Sequence, residues 1–360
     1  MKVCIIGDGL VSLTLANVLI QKELYVDILS NKKNNKYDKT RTLGISKSNI
    51  DYFNNKIANI EKILWNIREI KIYTEKSSNH EILNFTNNDE QIFSIIKNYE
   101  LEKLLKKNLT KSKFIKFKNI TYNQNIDCQK YKLVINCNSK NEISKKFFSN
   151  VTEKNYNSFA YTTIINHKKV INNDIAFQNF TSDGPIAFLP ISAIQTSVVY
   201  SLKGKDKKNN FDIKNLIKKY NPIYSITKIN TYNCFELRSS SLRKYYKDNI
   251  LAFGDLLHKI HPLAGQGFNM SLRDIKLLSD LIDEKINLGL DVDNSICREF
   301  QKDSQDKNYL FSVGIDWIYE IFNFESKMKS NLLGKSLSIF GKNKSINSFF
   351  KKFADKGLRI

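Results

Sequence analysis

The feature that most constrains this chain is its start. Lys2 to Ile6, KVCII, is an unbroken apolar run of strand length, GDGLVS comes next, and residues 13 to 21 carry apolar side chains at helical spacing before a second strand, LYVDIL, at Leu24 to Leu29. This order is a β-turn-α-β unit, the context that gives a glycine-rich turn its meaning. Gly7 and Gly9 fall between strand and helix, where a tight turn must form and a backbone must come close to a pyrophosphate. The helix start carries roughly half a positive charge from its aligned peptide dipoles and would face that phosphate. Ser12 at the third position of the motif keeps the residue small. A plain tight turn is the alternative reading of the same residues. The acidic residue expected at the end of the second strand, to hold a ribose, is absent, and Ser30 stands there.

A second stretch departs from the lysine-, asparagine- and isoleucine-rich remainder: GDLLHKIHPLAGQGFNMSLRD, Gly254 to Asp274, which holds three of the chain's 13 glycines and one of its 4 prolines. The apolar strand ILAF before it puts the Asp255 carboxylate at a strand end, suited to accept hydrogen bonds from a sugar-alcohol chain. Pro262 to Gly267 then reads as a rigid loop poor in side chains, fit to lie against a flat ring. The helix expected from near Phe268 to about Ile286 points its N-terminus at that ring. His258 and His261, three apart with no acidic ligand set beside them, read as loop-positioning groups.

Between these motifs the pattern changes. From about Ile70 to Phe93 and from about Ser158 to Glu236, short β-branched and aromatic runs such as YTTII and TSVVYSL predict an antiparallel sheet built from two chain segments. A helix is expected near Tyr99 to Leu109, a strand at Tyr131 to Asn136, and mostly helix over the last sixty residues. The fold class expected is α/β: a Rossmann-like domain of residues 1–69, 94–157 and 245–300, an inserted β-sheet substrate domain of 70–93 and 158–244, and a helical C-terminal region of 301–360.

Charge and cysteine usage exclude several functions. The formal net charge is +21, from 57 basic and 36 acidic residues, but only seven of the basic residues are arginines and the lysines are scattered. A solvated lysine-rich surface accounts for this pattern, and no recognised nucleic-acid module accompanies it, so no nucleic-acid partner is expected. Cysteines 4, 128, 137, 234 and 297 show no CxxC spacing, which argues against a disulfide framework or a metal site and for a reducing cytoplasm. The apolar start is interrupted by its glycine turn and lacks the cleavage site of a signal peptide, and no apolar run reaches the length of a membrane span.

IHPLAGQGFNMSLRD resembles the second flavin-binding motif of the FAD-dependent aromatic hydroxylases, most closely the ubiquinone-biosynthesis hydroxylases that act on polyprenylated phenols. KVCIIGDGLVSLTLANVL at the start, RTLGIS at Arg41 to Ser46 and GPIAFLP at Gly184 to Pro190 agree in the same order. The resemblance implies FAD as cofactor: Gly7, Gly9 and Ser12 at its pyrophosphate, Arg41 near its phosphates, Asp255 on the ribityl chain, and Pro262, Gly265, Gln266, Gly267 and Asn269 around the isoalloxazine. It implies NAD(P)H as co-substrate, O2 activated as a flavin hydroperoxide, and transfer of one oxygen atom to an electron-rich phenol. It names no general base.

Two departures stand out. Where the family carries an Asp-Gly pair followed by Ser and Arg, this chain has Cys137-Asn138-Ser139-Lys140-Asn141-Glu142-Ile143-Ser144, and GDLL replaces the usual GDAA. They leave open a related flavoprotein oxidoreductase, or a non-catalytic scaffold of a quinone-synthesis assembly. A polyprenyl phenol lives in the bilayer, and the tail from Lys327 has nine basic residues against Asp355 alone, with Leu333, Leu337, Phe340, Ile346, Phe349, Phe350 and Phe353 at helical spacing. The tail therefore reads as a basic amphipathic helix pair for an anionic membrane surface, with packing on the protein's own core as the alternative. The expected location is the cytoplasm, with peripheral attachment to the inner face of the cytoplasmic membrane.

Overall fold

The apolar strand KVCII needs two neighbours to satisfy its backbone and a helix on each face to cover its side chains, and the computed structural model supplies both. It describes residues 1–31, 38–75, 81, 83–86, 91–121, 126–204, 212–261, 265–327, 352, 355 and 357. From the N-terminus the elements run β1 (Lys2–Ile6), α1 (Leu10–Gln21), β2 (Tyr25–Ser30), β3 (Thr42–Ser46), α2 (Lys47–Lys56), β4 (Leu64–Ile67), β5 (Glu69–Thr74), β6 (Leu83–Thr86), β7 (Phe93–Lys97), α3 (Asn98–Leu109), β8 (Ile115–Asn119) and β9 (Leu133–Asn136). They continue with α4 (Glu142–Phe147), β10 (Val151–His167), β11 (Ile175–Thr181), β12 (Gly184–Ser192), β13 (Gln195–Lys203), α5 (Ile213–Lys219), β14 (Ile226–Ile229), β15 (Asn233–Leu242), β16 (Tyr246–Lys247), β17 (Ile250–Ala252), β18 (His258–Lys259), α6 (Gln266–Asn287) and α7 (Ser295–Lys327).

The first sheet has the order β16-β17-β9-β1-β2-β8, with β17, β9, β1, β2 and β8 parallel. Val3, Cys4, Ile5 and Ile6 of β1 and Leu133, Val134 and Ile135 of β9 are fully buried, as strands covered on both faces must be. Helix α1 is buried along most of its length (Leu13, Leu15, Ala16, Leu19) and is tied to α3 by Asn17 Nδ2 donating to the Leu105 carbonyl at 3.3 Å.

The second sheet runs β18-β15-β10-β13-β12-β11-β5-β6, with β14 paired to β10. It joins the two chain segments expected. One pair, β11 with β5, is parallel, because the chain enters β5 from the other domain rather than through a hairpin. β10 runs unbroken from Val151 to His167, so the boundary expected at 157/158 falls inside a strand. One face of this sheet packs on α5 through Ile165, Phe188, Val198, Ile213 and Ile217. The other packs Ile164, Ala176 and Ile191 on a small third sheet, β3-β7-β4, through Ile67 and Ile95.

Helix α6 starts at Gln266, two residues before the expected position, and α7 supplies the helical C-terminal region as far as Lys327. The α/β fold class and the helical C-terminal region are as expected, and the small third sheet is an addition to the two expected. Most of the tail from 328 onward, and with it the amphipathic pair, lies outside the described residues. Within it, Ser46 and Ser48 hydroxyls donate to the Asp355 carbonyl at 3.2 and 3.0 Å, the Ser48 amide donates to the Asp355 carboxylate at 2.9 Å, and Gly357 is buried beside Arg273. No described helix is long and apolar enough to cross a membrane.

Candidate functional site

Three adjacent parallel strands end at one edge of the first sheet, and the segments leaving them meet there: Gly7 to Ser12 after β1, Cys137 to Asn141 after β9, and Gly254 to Leu257 after β17. In open parallel sheets a crevice at this edge is where ligands sit. Gly7 has φ +117°, a conformation glycine adopts freely, and a Cβ there would lie 3.3 Å from Ser12 Oγ and 3.5 Å from Cys137 Cβ. Ser12 is buried, and its hydroxyl hydrogen-bonds the Cys137 thiol, whose pKa burial pushes up to about 12. Ser12 thus closes the packing between α1, β1 and β9.

Gly9 is the N-cap of α1, extended, with no side-chain cap, no acidic residue in the first turn and, among the described residues, no atom within 4 Å of where a Cβ would stand. The first amides of α1 are uncapped by side chains above an open space. Gly254 approaches α1 so closely that a Cβ would come within 3.1 Å of Val11 Cγ1, and this contact sets the exposed Asp255 beside the first turn.

The second helix start is built differently. Gly265, with φ +65°, is the N-cap of α6, again without a side-chain cap, and its Cα faces the backbone of Gly44. Asn269 stitches this junction. Its Oδ1 accepts from the Ser46 amide and Asn49 Nδ2, both at 3.0 Å, and its Nδ2 donates to the Gly44 carbonyl at 2.9 Å. Both ends of its amide are therefore spent on β3 and α2. Gln266 is buried and its Oε1 has no hydrogen-bond partner among the described residues. Among the described residues, only Ile260 comes near where a Gly267 Cβ would stand, at 4.0 Å. Pro262 lies outside the described residues.

Arg41 is not brought to the glycine turn by any bond among the described residues. It is exposed, and its guanidinium sits 5.8 Å from the centre of the Phe235 ring on β15. The segment holding it is fixed to the second sheet by Asn233 Nδ2 donating to Thr40 Oγ1 at 2.9 Å and by the Thr42 and Ser197 hydroxyls at 2.8 Å.

The histidines serve the loop. His258 Nε2 lies 2.5 Å from Asp274 Oδ2, both buried, and Asp274 Oδ1 accepts from Asn308 Nδ2 at 3.1 Å, which clamps β18 to α6 and α7. His261 is buried between Tyr156, edge-on at 4.7 Å, and Tyr319 at 4.2 Å, and neither ring nitrogen has a hydrogen-bond partner among the described residues. Burial, helped by the Lys154 charge, lowers its pKa to about 4, so it is neutral at pH 7. Among the described residues no group of His, Cys, Asp and Glu could hold a metal ion.

The altered segment after β9 is ordered by its own asparagines. Asn136 Nδ2 donates to Ser144 Oγ at 2.8 Å, Asn141 Nδ2 donates to Asn136 Oδ1 at 2.9 Å, and Asn141 Oδ1 caps α4 by accepting from the Ser144 amide at 2.8 Å. Sequence reasoning missed Gly44 as part of the site. The signal was available, since a glycine inside a strand often marks close approach of another backbone.

Residues 147–287 match the protein family described as "FAD binding domain". The chain is 23% identical over 275 residues to the mitochondrial ubiquinone biosynthesis monooxygenase COQ6 of Schizosaccharomyces pombe, covering 63% of this chain and 57% of that one. It is 28% identical over 158 residues to the 3-demethoxyubiquinol 3-hydroxylase of Escherichia coli, covering 42% and 40%. The chain thus spans little more than half the length of the first relative and less than half of the second. Among solved structures, p-nitrophenol 4-monooxygenase PnpA of Pseudomonas putida superposes with a TM-score of 0.79 at 13% identity, covering 99% of this chain and 98% of that one. HpxO of Klebsiella pneumoniae, solved with FAD and uric acid, superposes with a TM-score of 0.73 at 12% identity, covering 99% and 96%. The resemblance read from the four motifs is therefore upheld: the chain is related in sequence to ubiquinone-biosynthesis hydroxylases and has the fold of FAD-dependent monooxygenases.

Proposed function

We propose that this protein is an FAD-dependent monooxygenase that hydroxylates the ring of a polyprenylated phenol in ubiquinone biosynthesis, using NAD(P)H and O2. The observation that carries the reading is the pair of uncapped, glycine-led helix starts, α1 and α6, with Asp255 set beside the first by the Gly254–Val11 contact. The fit to FAD rests on two further features: the open space above Gly9, and the buried Gln266 Oε1 that lacks a partner among the described residues.

In this reading Gly7, Gly9 and the first amides of α1 hold the pyrophosphate, and Asp255 accepts hydrogen bonds from the ribityl hydroxyls. Gly265, Gln266, Gly267 and Pro262 flank the isoalloxazine. Arg41, with no ion-pair partner among the described residues, is the cation for the phosphate side. Ser12 and Asn269 are positioning residues, one packing the first turn and the other fixing the α6 loop to β3. Bound FAD would supply monooxygenase chemistry, with NAD(P)H as reductant, one oxygen atom of O2 entering the ring and the other leaving as water. The chain's own part is to orient the phenol and exclude water, and the apolar layer of Ile67, Ile95, Ile164, Ala176 and Ile191 is suited to that.

The test is expression in bacteria lacking one ubiquinone hydroxylase, with mass spectrometry of their quinone lipids. Restored ubiquinone in one such host, together with flavin absorbance of the purified protein, upholds the reading. Folded protein that takes up no flavin overturns it. Flavin without any hydroxylated intermediate favours the scaffold, the second reading, which the closed asparagine network after β9 supports by replacing the family's Asp-Gly pair.

A further inference from the structure

Three exposed isoleucines gather at one end of the second sheet: Ile171 is 83% exposed, and Ile194 and Ile223 are each 53% exposed. Single apolar side chains on a surface are ordinary. These three sit on loops that are bonded to one another. The His167 amide donates to the Ile194 carbonyl at 3.0 Å, the Val170 amide to the Ala193 carbonyl at 2.9 Å, and the Lys168 amide to the Ser225 carbonyl at 3.0 Å.

One buried residue fixes them. Asn173 Nδ2 donates to the Ser192 carbonyl at 2.7 Å, its Oδ1 accepts from the Tyr224 hydroxyl at 3.1 Å, and its carbonyl accepts from Trp65 Nε1 at 2.6 Å. The tip is thus held as a unit. Lys168 and Lys169 are exposed on it, and Lys228 is exposed on the neighbouring strand. The acid close by, Asp174, already faces Arg68 at 3.8 Å.

The tip also borders a cavity. Trp65, bonded to Asn173, forms a wall of a space of about 130 Å³ together with Ile95 and Ile191, and Ser192, bonded to the same asparagine, comes directly after Ile191. Lys62, Lys97 and Glu100 line the same space, so its mouth is charged as well as apolar. Ile95 pairs in register with Gly44, the backbone that Gly265 touches, so the cavity lies one strand from the α6 loop.

We propose that this end of the second sheet seats the protein on an anionic phospholipid surface, with Ile171, Ile194 and Ile223 inserted among the headgroups and Lys168 and Lys169 against the phosphates. The inference deepens the proposed function, since it rests on a substrate whose polyprenyl tail stays in the bilayer. A rigid cluster of aliphatic side chains ringed by lysines matches the two components of peripheral binding, apolar insertion and attraction to anionic lipid.

The test is co-sedimentation of the full, FAD-loaded chain with phosphatidylcholine vesicles containing phosphatidylglycerol, and with phosphatidylcholine alone, at low salt. The wild type is expected to bind the anionic vesicles, and Lys168→Glu with Lys169→Glu to weaken binding by roughly fivefold or more for each lysine. Ile171→Ser, Ile194→Ser and Ile223→Ser together are expected to weaken it on the order of a hundredfold. Equal binding by the isoleucine variant overturns the proposal and transfers the role to the tail beyond Lys327, and no binding by the wild type overturns it outright. Where the triple variant fails to fold, Ile194→Cys carrying an environment-sensitive dye replaces it, with the wild type labelled in parallel: a blue shift on anionic vesicles supports the proposal, and an unchanged spectrum overturns it. Sedimentation needs no turnover, so a protein that docks through the tip yet oxidises no phenol upholds this inference while the hydroxylase reading fails.

Discussion

At the start of α1, Gly9 has φ −73° and no atom within 4 Å of a would-be Cβ, whereas at the start of α6, Gly265 has φ +65° and a would-be Cβ 3.1 Å from the Gly44 amide nitrogen. Both are N-caps without side-chain caps, and both belong to glycine-bearing motifs that stand out in the sequence. The difference separates two reasons for a glycine. Gly265 is demanded by the chain itself, through its left-handed conformation and the backbone against it. Gly9 meets no such demand among the described residues, so its smallness answers to something that comes in from outside.

The largest test of this contrast is Gly265→Ala. A left-handed alanine costs roughly 1 to 3 kcal/mol before the collision with Gly44 is counted. The cofactor-free protein should show a lower unfolding midpoint in denaturant, and an unchanged midpoint would remove the contrast. Asp255→Ala should act in the opposite sense. It leaves the unfolding midpoint of the cofactor-free protein nearly unchanged but removes a charge-assisted hydrogen bond of roughly 1.5 to 3 kcal/mol, so FAD should bind about ten to a hundred times more weakly by fluorescence titration.

The loop before α6 also carries a proton-linked element that the first turn lacks. His261 has a pKa of about 4 in the folded protein against 6.5 when free, so between these values the unfolded chain binds the proton and the folded chain does not. Its contribution is whole above about pH 6.5 and is lost as pH falls toward 4, by about 2 kcal/mol at pH 5. Thermal melts should show the wild type losing about 2 kcal/mol relative to His261→Phe between pH 7 and pH 5, whatever their difference at pH 7, and parallel curves would show that His261 carries no such linkage. The smallest expected effect belongs to Gly9→Ala, which should shift stability by no more than about 0.5 kcal/mol, because the backbone conformation suits alanine and the site is open. Its FAD affinity should nonetheless drop, and retained affinity would break the contrast from the other side.

The β1-α1-β2 unit was legible because its parts are contiguous and its periods switch cleanly from strand to helix. The glycines of the α6 loop were legible as a motif, but not the reason for Gly265, since its partner Gly44 lies in a segment far away in sequence. The use of Asn269 was hidden in the same way: its bond to the Ser46 amide spans 223 positions. β10 crosses an expected domain boundary because Val151 to Asn155 pair with Arg238 to Leu242, a register that local pattern does not encode. The altered stretch after β9 looked like damage in one dimension, yet Asn136, Asn141 and Ser144 close it into a capped turn once the chain folds.

The contact of Asp355 with Ser46 has a consequence for the making of the protein. The two residues are 309 positions apart. A ribosome adding about 5 to 20 residues per second needs roughly 15 to 60 s to travel from one to the other. Through that interval the Ser48 amide at the start of α2 must rely on water in place of the Asp355 carboxylate. Ser46 and Ser48 thus wait for a partner 309 and 307 positions further on, and this corner of the molecule takes its final form long after α2 itself can fold.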